Sequence, residues 1–188
     1  MQLQRCALSL AIPVLAFAIV LSSFPKIPLI TSTALAQNIM DQDPKNEADR
    51  FYQEGNQLID QGQYKMALEK LQLALRIYQQ LGHRQEQGNT LNSIGGAYGG
   101  LGECPQQLDY FQQSLSIQQE VSNRQMESIV LNHIGTAHVC LGQYSQALEL
   151  YQRALAISKE LDNRSGLALI LNNIGSIHDI SGQYEEAL

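Results

Sequence analysis

The phrase Leu91-Asn92-Ser93-Ile94-Gly95 returns as Leu131-Asn132-His133-Ile134-Gly135 and again as Leu171-Asn172-Asn173-Ile174-Gly175, each copy forty residues after the last. A second phrase keeps the same step: Gly62-Gln63-Tyr64, Gly102-Glu103-Cys104, Gly142-Gln143-Tyr144 and Gly182-Gln183-Tyr184. Two independent phrases locked to one period define a repeat array, whose units are each too small to bury an apolar face alone and must stack on their neighbours. The fold is thereby restricted to a solenoid, and the function to what a stacked surface can do.

Within each unit the apolar spacing is helical. Phe51, Gly55, Leu58 and Ile59 share one face; Gly62-Gln63 interrupts; then Ala67, Leu68, Leu71, Leu75 and Tyr78 mark a second amphipathic helix. Glycine tolerates the left-handed turn that ends a helix, so one unit reads as a helix hairpin. The second unit places Pro105 in the first turn of its second helix, where no amide donor is needed. Ser122-Asn123-Arg124 and Asp162-Asn163-Arg164 are short polar turns between units, able to cap the helix that follows. Gly95, Gly96, Gly99 and Gly100 crowd one helix at about 1 kcal/mol each against alanine. A packing role is expected for Gly95, and the sequence offers no reason for the other three. The array is expected over 47–188, as units at about 47–84, 85–124 and 125–164 and a truncated fourth at 165–188.

Residues 1–36 read as a secretion signal: Arg5 in a short basic region, an apolar run from Cys6 to Phe24, and Ala34-Leu35-Ala36 before Gln37. Cleavage is expected after Ala36, which makes the protein exported, either periplasmic or secreted. The competing reading is an uncleaved membrane anchor, since the apolar run approaches spanning length. Residues 37–46 show no periodicity and are expected to be a mobile spacer. The chain has a formal charge of −6, and without the leader 10 basic stand against 18 acidic residues, a net of −8. With no cluster of Lys or Arg, nucleic acid and anionic lipid are disfavoured as partners.

The residues Leu91, Ile94, Gly95, Tyr98, Gly102 and Phe111, followed by Leu131, Ile134, Gly135, Gly142, Tyr144, Ala147, Tyr151 and Ala154, resemble the tetratricopeptide repeat family. The resemblance implies an all-α solenoid, a right-handed superhelix of hairpins in which the glycine of the first helix and the alanine of the second permit close approach. The chain departs from the family in its forty-residue step against about 34, in lacking the closing proline, and in Cys104 and Gln107 where Tyr and Ala are expected. It is similar to the longer-period branch that includes kinesin light chain and spindle-orientation adaptors. With its leader, it is also similar to exported cyanobacterial repeat proteins, some of which continue into a caspase-like CHAT domain. No residue here belongs to such a domain.

The resemblance implies a concave wall made of first helices, where Asn92, Asn132 and Asn172 would bond the main chain of an extended peptide. A carboxamide both donates and accepts, so it suits a peptide unit of any sequence. The other reading has these asparagines bonding neighbouring helices within the solenoid. Specificity would come from Ser93, His133 and Asn173, and from Asn56, Thr136 and Ser176 a turn further on. All are uncharged, whereas a clamp for a terminal carboxylate would need Lys or Arg.

His138 and His178 stand one period apart, as metal ligands or a pH switch or, preferred here, as core histidines bonded across the hairpin. No metal and no cofactor is expected. Cys104 and Cys140 fall at helix ends that stacking brings to one side, so a disulfide is conceivable; two buried thiols filling core positions are the preferred reading. No catalytic constellation or phosphate loop occurs in the repeats. The expected function is a non-catalytic scaffold for a protein or peptide partner. The alternatives are the sensor arm of a longer CHAT-type protease-like protein and an array that self-associates through its unfinished end.

Overall fold

The computed structural model of the chain describes residues 43–180 and Gly182. The leader, most of the spacer and the helix expected after Gly182 lie outside the described residues. Seven helices follow one another: α1 (Pro44–Asp60), α2 (Tyr64–Leu81), α3 (Arg84–Gly100), α4 (Cys104–Glu120), α5 (Arg124–Cys140), α6 (Tyr144–Glu160) and α7 (Arg164–Ile180). Among the described residues there is no strand, and no helix is long and apolar enough to cross a membrane. The fold is an all-α solenoid of consecutive hairpins.

The first helix begins at Pro44, earlier than the apolar period indicates, so Pro44, Lys45 and Asn46 belong to the array and not to the expected spacer. The cause is local. Asp43 accepts from the Lys45 amide at 3.0 Å, and Pro44 has no amide to leave unsatisfied in the first turn.

The turns are built as the glycines indicate. Gly62, Gly102 and Gly142 have φ of 72°, 75° and 72°, and the chain closes the helix end with bonds such as Gln63 N to Leu58 O at 2.8 Å. Between hairpins the same left-handed position is held by Gly82, then by Ser122 (φ 56°) and Asp162 (φ 48°). Asn123 and Asn163 cap the helices that follow, accepting from the amides of Met126 (3.1 Å) and Gly166 (3.0 Å).

Close helix approach inside each hairpin depends on one glycine under one large side chain. A Cβ on Gly55 would lie 2.6 Å from Leu71, one on Gly95 2.6 Å from the Phe111 ring, and one on Gly135 2.5 Å from the Tyr151 ring. Leu71, Phe111 and Tyr151 are all buried. The core then passes from hairpin to hairpin: Phe111 of α4 packs with Val130, Ile134 and Ala137 of α5, and Leu131 and Tyr151 pack with Ile170 and Ile177 of α7. Stacking, not the single hairpin, makes this interior.

Two of the unexplained glycines acquire reasons here. The Gln107 side chain lies against Gly99, and the Tyr64 ring of the preceding hairpin lies against Gly100; a Cβ at either position would overlap them. Gly96 has nothing within 4 Å of where its Cβ would stand.

Candidate functional site

The sidedness of the array follows from which helices touch. The first helices of successive hairpins contact one another, α1 with α3, α3 with α5 and α5 with α7, whereas among the described residues no second helix contacts the second helix of the next hairpin. Elements packed closer together lie on the inside of a curved stack, so the first helices form the inner wall. At 100° per residue, the open side of α3 carries Gly96 and, at its edge, Asn89, which still accepts from Gln118 of the partner helix α4. The same positions along the array are Asp49, Asn89, Ile129 and Leu169 in one row and Asn56, Gly96, Thr136 and Ser176 in the other.

The asparagines of the repeated phrase are only partly available to a ligand. Asn92 Oδ1 accepts from His133 Nδ1 at 2.8 Å, and one unit later Asn132 Oδ1 accepts from Asn173 Nδ2 at 2.8 Å. Asn132 is 4% exposed, because α7 lies over it. At these two positions the acceptor half of the carboxamide is therefore occupied by the next hairpin, and the two-handed peptide bond expected from the sequence is reduced to a donor. Asn172 is exposed and bonds no described side chain. These residues are rungs that set the spacing of first helices along the wall.

The neighbours divide in the same way. His133 is half-buried with its ring 5.2 Å from that of Phe111; burial pushes its pKa down, so the neutral ring donates from Nδ1 and keeps an acceptor at Nε2. Asn173 is committed to Asn132, while Ser93 is half-buried with no bonded side chain among the described residues. Asn56 Nδ2 donates to Tyr52 O (3.0 Å), Ser176 Oγ to Asn172 O (2.9 Å), and Thr136 Oγ1 to Asn132 O (3.2 Å), with Tyr151 OH 3.1 Å from Thr136 Oγ1. These three side chains turn back on their own helix without leaving the wall.

His138 Nδ1 lies 2.6 Å from Gln143 Oε1, across the turn of its own hairpin. Among the described residues no three His, Cys, Asp or Glu side chains gather as a metal site would require. Cys104 and Cys140 are joined by a disulfide, with Cα atoms 6.0 Å apart. Cys104 is half-buried and Cys140 exposed, so the preferred reading of two buried core thiols is corrected: both sit at a helix end on the seam between units. The pair holds the place of Tyr64 and Gly100 one repeat earlier, which is why Cys104 departs from the tyrosine of the other units.

Sequence reading missed a clamp inside the second and third units. Arg84 at the start of α3 pairs with Glu120 at the end of α4, with Nε to Oε1 at 3.0 Å, and Arg124 pairs with Glu160 at 2.9 Å. Comparing units position by position would have found it, since Arg84, Arg124 and Arg164 recur at the period. It also missed two bonds within hairpins, Tyr78 OH to Asp49 (2.6 Å) in the first and Gln118 Nε2 to Asn89 (3.0 Å) in the second, which occupy one register in successive units.

Hairpins in series, with a glycine under a large side chain in each and first helices forming the inner wall, define a helical-repeat solenoid protein. Residues 49–120 and 126–188 match the sequence signature of the tetratricopeptide repeat, and the chain belongs to that family. No curated protein matches it in sequence. Among solved structures it is similar to aspartyl phosphate phosphatase F from Bacillus subtilis (TM-score 0.75, 19% identity, 83% of this chain and 41% of that one). It is similar also to a Rap protein solved in complex with competence and sporulation factor (TM-score 0.73, 17% identity, 83% and 44%). A third is a putative kinesin light chain of Podosopora anserina with nearly identical TPR-like repeats (TM-score 0.64, 16% identity, 83% and 77%). The chain thus spans less than half the length of the first two.

Proposed function

We propose that the protein is a non-catalytic scaffold that holds an extended segment of a partner protein along the inner wall of first helices. The observation that supports this best is the wall itself: two rows of positions with no Lys or Arg, running across α1, α3, α5 and α7, backed by asparagine rungs that keep the helices in step. Apart from Asp49, which is bonded to Lys45 and Tyr78, the polar groups of the two rows are uncharged hydroxyls and carboxamides, which bond main-chain amides whatever the side chain. The wall therefore favours extended segments with little basic or acidic selection. That a Rap protein of similar fold was solved with a bound factor accords with this reading.

Gly96 supplies the test, because its missing Cβ faces open space on the wall. Gly96→Gln extends a side chain across the groove without disturbing the core. Random linear peptides displayed on phage are panned on the full chain, and the enriched peptides are titrated against Gly96→Gln and Asn172→Ala. About tenfold weaker binding to at least one variant is expected; unchanged affinity in both would end the proposal.

Export belongs to the same proposal: an oxidising compartment is where a bond between Cys104 and Cys140 persists. Amino-terminal sequencing of the protein recovered from cells should start at Gln37. A start at Met1 would remove the cleaved leader from the account.

A further inference from the structure

A cavity of about 30 Å³ opens in the seam between the third and fourth hairpins. Its apolar walls are Ile129, Leu169 and Ile170, and Asn132 and His133 border it. Its origin is visible when the three seams are superposed on the forty-residue step. In the first seam the space is occupied by Tyr78, buried and bonded to Asp49, and Glu86 stands in the second filling position. In the next, Gln118, fully buried and bonded to Asn89, and Met126, packed against the Phe111 core, take those positions. In the third seam the same two positions are Ser158 and Gly166, both lining the cavity. The third seam therefore has two small residues lining its cavity where the other two seams have large ones.

We infer that this cavity is a side-chain subsite of the inner wall, receiving one small branched apolar residue of the bound segment, valine being the best fit. The inference rests on the groove reading of the wall. Leu169 is 53% exposed and forms the open lip; the lining contains no charged group. The space admits about two waters or the end of one short side chain, and not an aromatic ring. Ile129 and Leu169 belong to the outward row of the wall, so a segment lying along that row passes over the opening. Asn132 Nδ2, Asn163 Nδ2 and His133 Nε2 are polar atoms at the border not committed to described side chains, two donors and an acceptor for the main chain of the residue whose side chain enters.

The probe is N-acetylvaline N′-methylamide, one side chain with a peptide unit on either side, titrated into the isotope-labelled full chain and followed by amide chemical shifts. Saturable shifts confined to the neighbourhood of Ile129, His133 and Leu169 are expected, about tenfold stronger than for the glycine analogue, with the tryptophan analogue excluded. Two substitutions refill the cavity from the preceding unit, Ser158→Gln and Gly166→Met, and thermal melts confirm that each folds. Each should weaken valine-probe binding about tenfold or more. Equal response to the glycine analogue, no localised shifts, or undiminished binding in both filled variants would overturn the subsite. The two readings fail separately: peptides captured equally well by the filled variants, with no valine preference, would overturn the subsite and leave the groove. Valine-probe binding without any peptide capture would do the reverse.

Discussion

Two adjacent glycines should respond to alanine with opposite sign. In Gly95→Ala the new Cβ would stand 2.6 Å from Phe111 Cδ1 and Cε1. That ring is 3% exposed and is held by Val130, Ile134 and Ala137 of the next hairpin, so it cannot rotate away. Overpacking of this kind costs about 1–3 kcal/mol, and the better helix propensity of alanine returns about 1 kcal/mol. The net is a loss of up to about 2 kcal/mol. In Gly96→Ala the Cβ meets no atom within 4 Å, leaving only the propensity gain of about 0.5–1 kcal/mol. For a domain of this size each kcal/mol moves the melting midpoint about 2–4 °C, so the two variants should melt about 1–12 °C apart, Gly95→Ala below wild type and Gly96→Ala above it. Circular dichroism melts of the full chain, checked by urea titration, read this directly. A Gly95→Ala midpoint at or above wild type, or a Gly96→Ala midpoint below it, would refute the assignment of one glycine to packing and the other to the wall.

Ser122 and Asp162 hold left-handed φ values of 56° and 48°, so Ser122→Gly and Asp162→Gly should each raise stability by about 0.5–1 kcal/mol, whereas Gly142→Ala should lower it by about 1 kcal/mol; urea midpoints in any other order contradict the turn assignment. The disulfide closes a loop between residues 36 apart, for which chain entropy gives about 3–4 kcal/mol. A dithiol reductant should therefore lower the melting midpoint of wild type but not of the Cys104→Ser, Cys140→Ser double variant, and equal melts with and without reductant would show that the cross-link contributes nothing. His133 has its pKa lowered by burial, so the folded state holds it neutral while the unfolded chain takes up a proton as pH falls through about 6.5. Its contribution is present above that pH and is lost on acidification toward the lower folded value. Stability should fall between pH 7 and 5, and His133→Asn should flatten that dependence; an unchanged slope would place the titrating group elsewhere.

Much of the architecture was legible in order along the chain. The turns at Gly62, Gly102 and Gly142, the caps at Asn123 and Asn163, and Pro105 in a first helical turn are all set by φ preferences and hydrogen bonds reaching five residues or fewer, which the sequence displays side by side. The glycine beneath Leu71, Phe111 or Tyr151 was legible for a related reason: the two partners sit sixteen residues apart on one hairpin whose turn is already known. The site was less so. Asn92 and Asn132 were recognised as equivalent, yet which half of each carboxamide remains for a ligand depends on a side chain 41 residues away. The outward row of Ile129 and Leu169 was passed over because its residues do not repeat, and identity at the period was the signal being followed.

The sequence by itself determined a tetratricopeptide array of helix hairpins with a forty-residue step, because period, helix ends and hairpin pairing are encoded in contacts within one unit. Only the tertiary structure decided the reasons for Gly99 and Gly100, the pairing of Cys104 with Cys140, the first helices as inner wall, and the cavity left by Ser158 and Gly166. Each of these depends on the offset and tilt between stacked units, a quantity summed over every seam contact and written in no single segment of the chain.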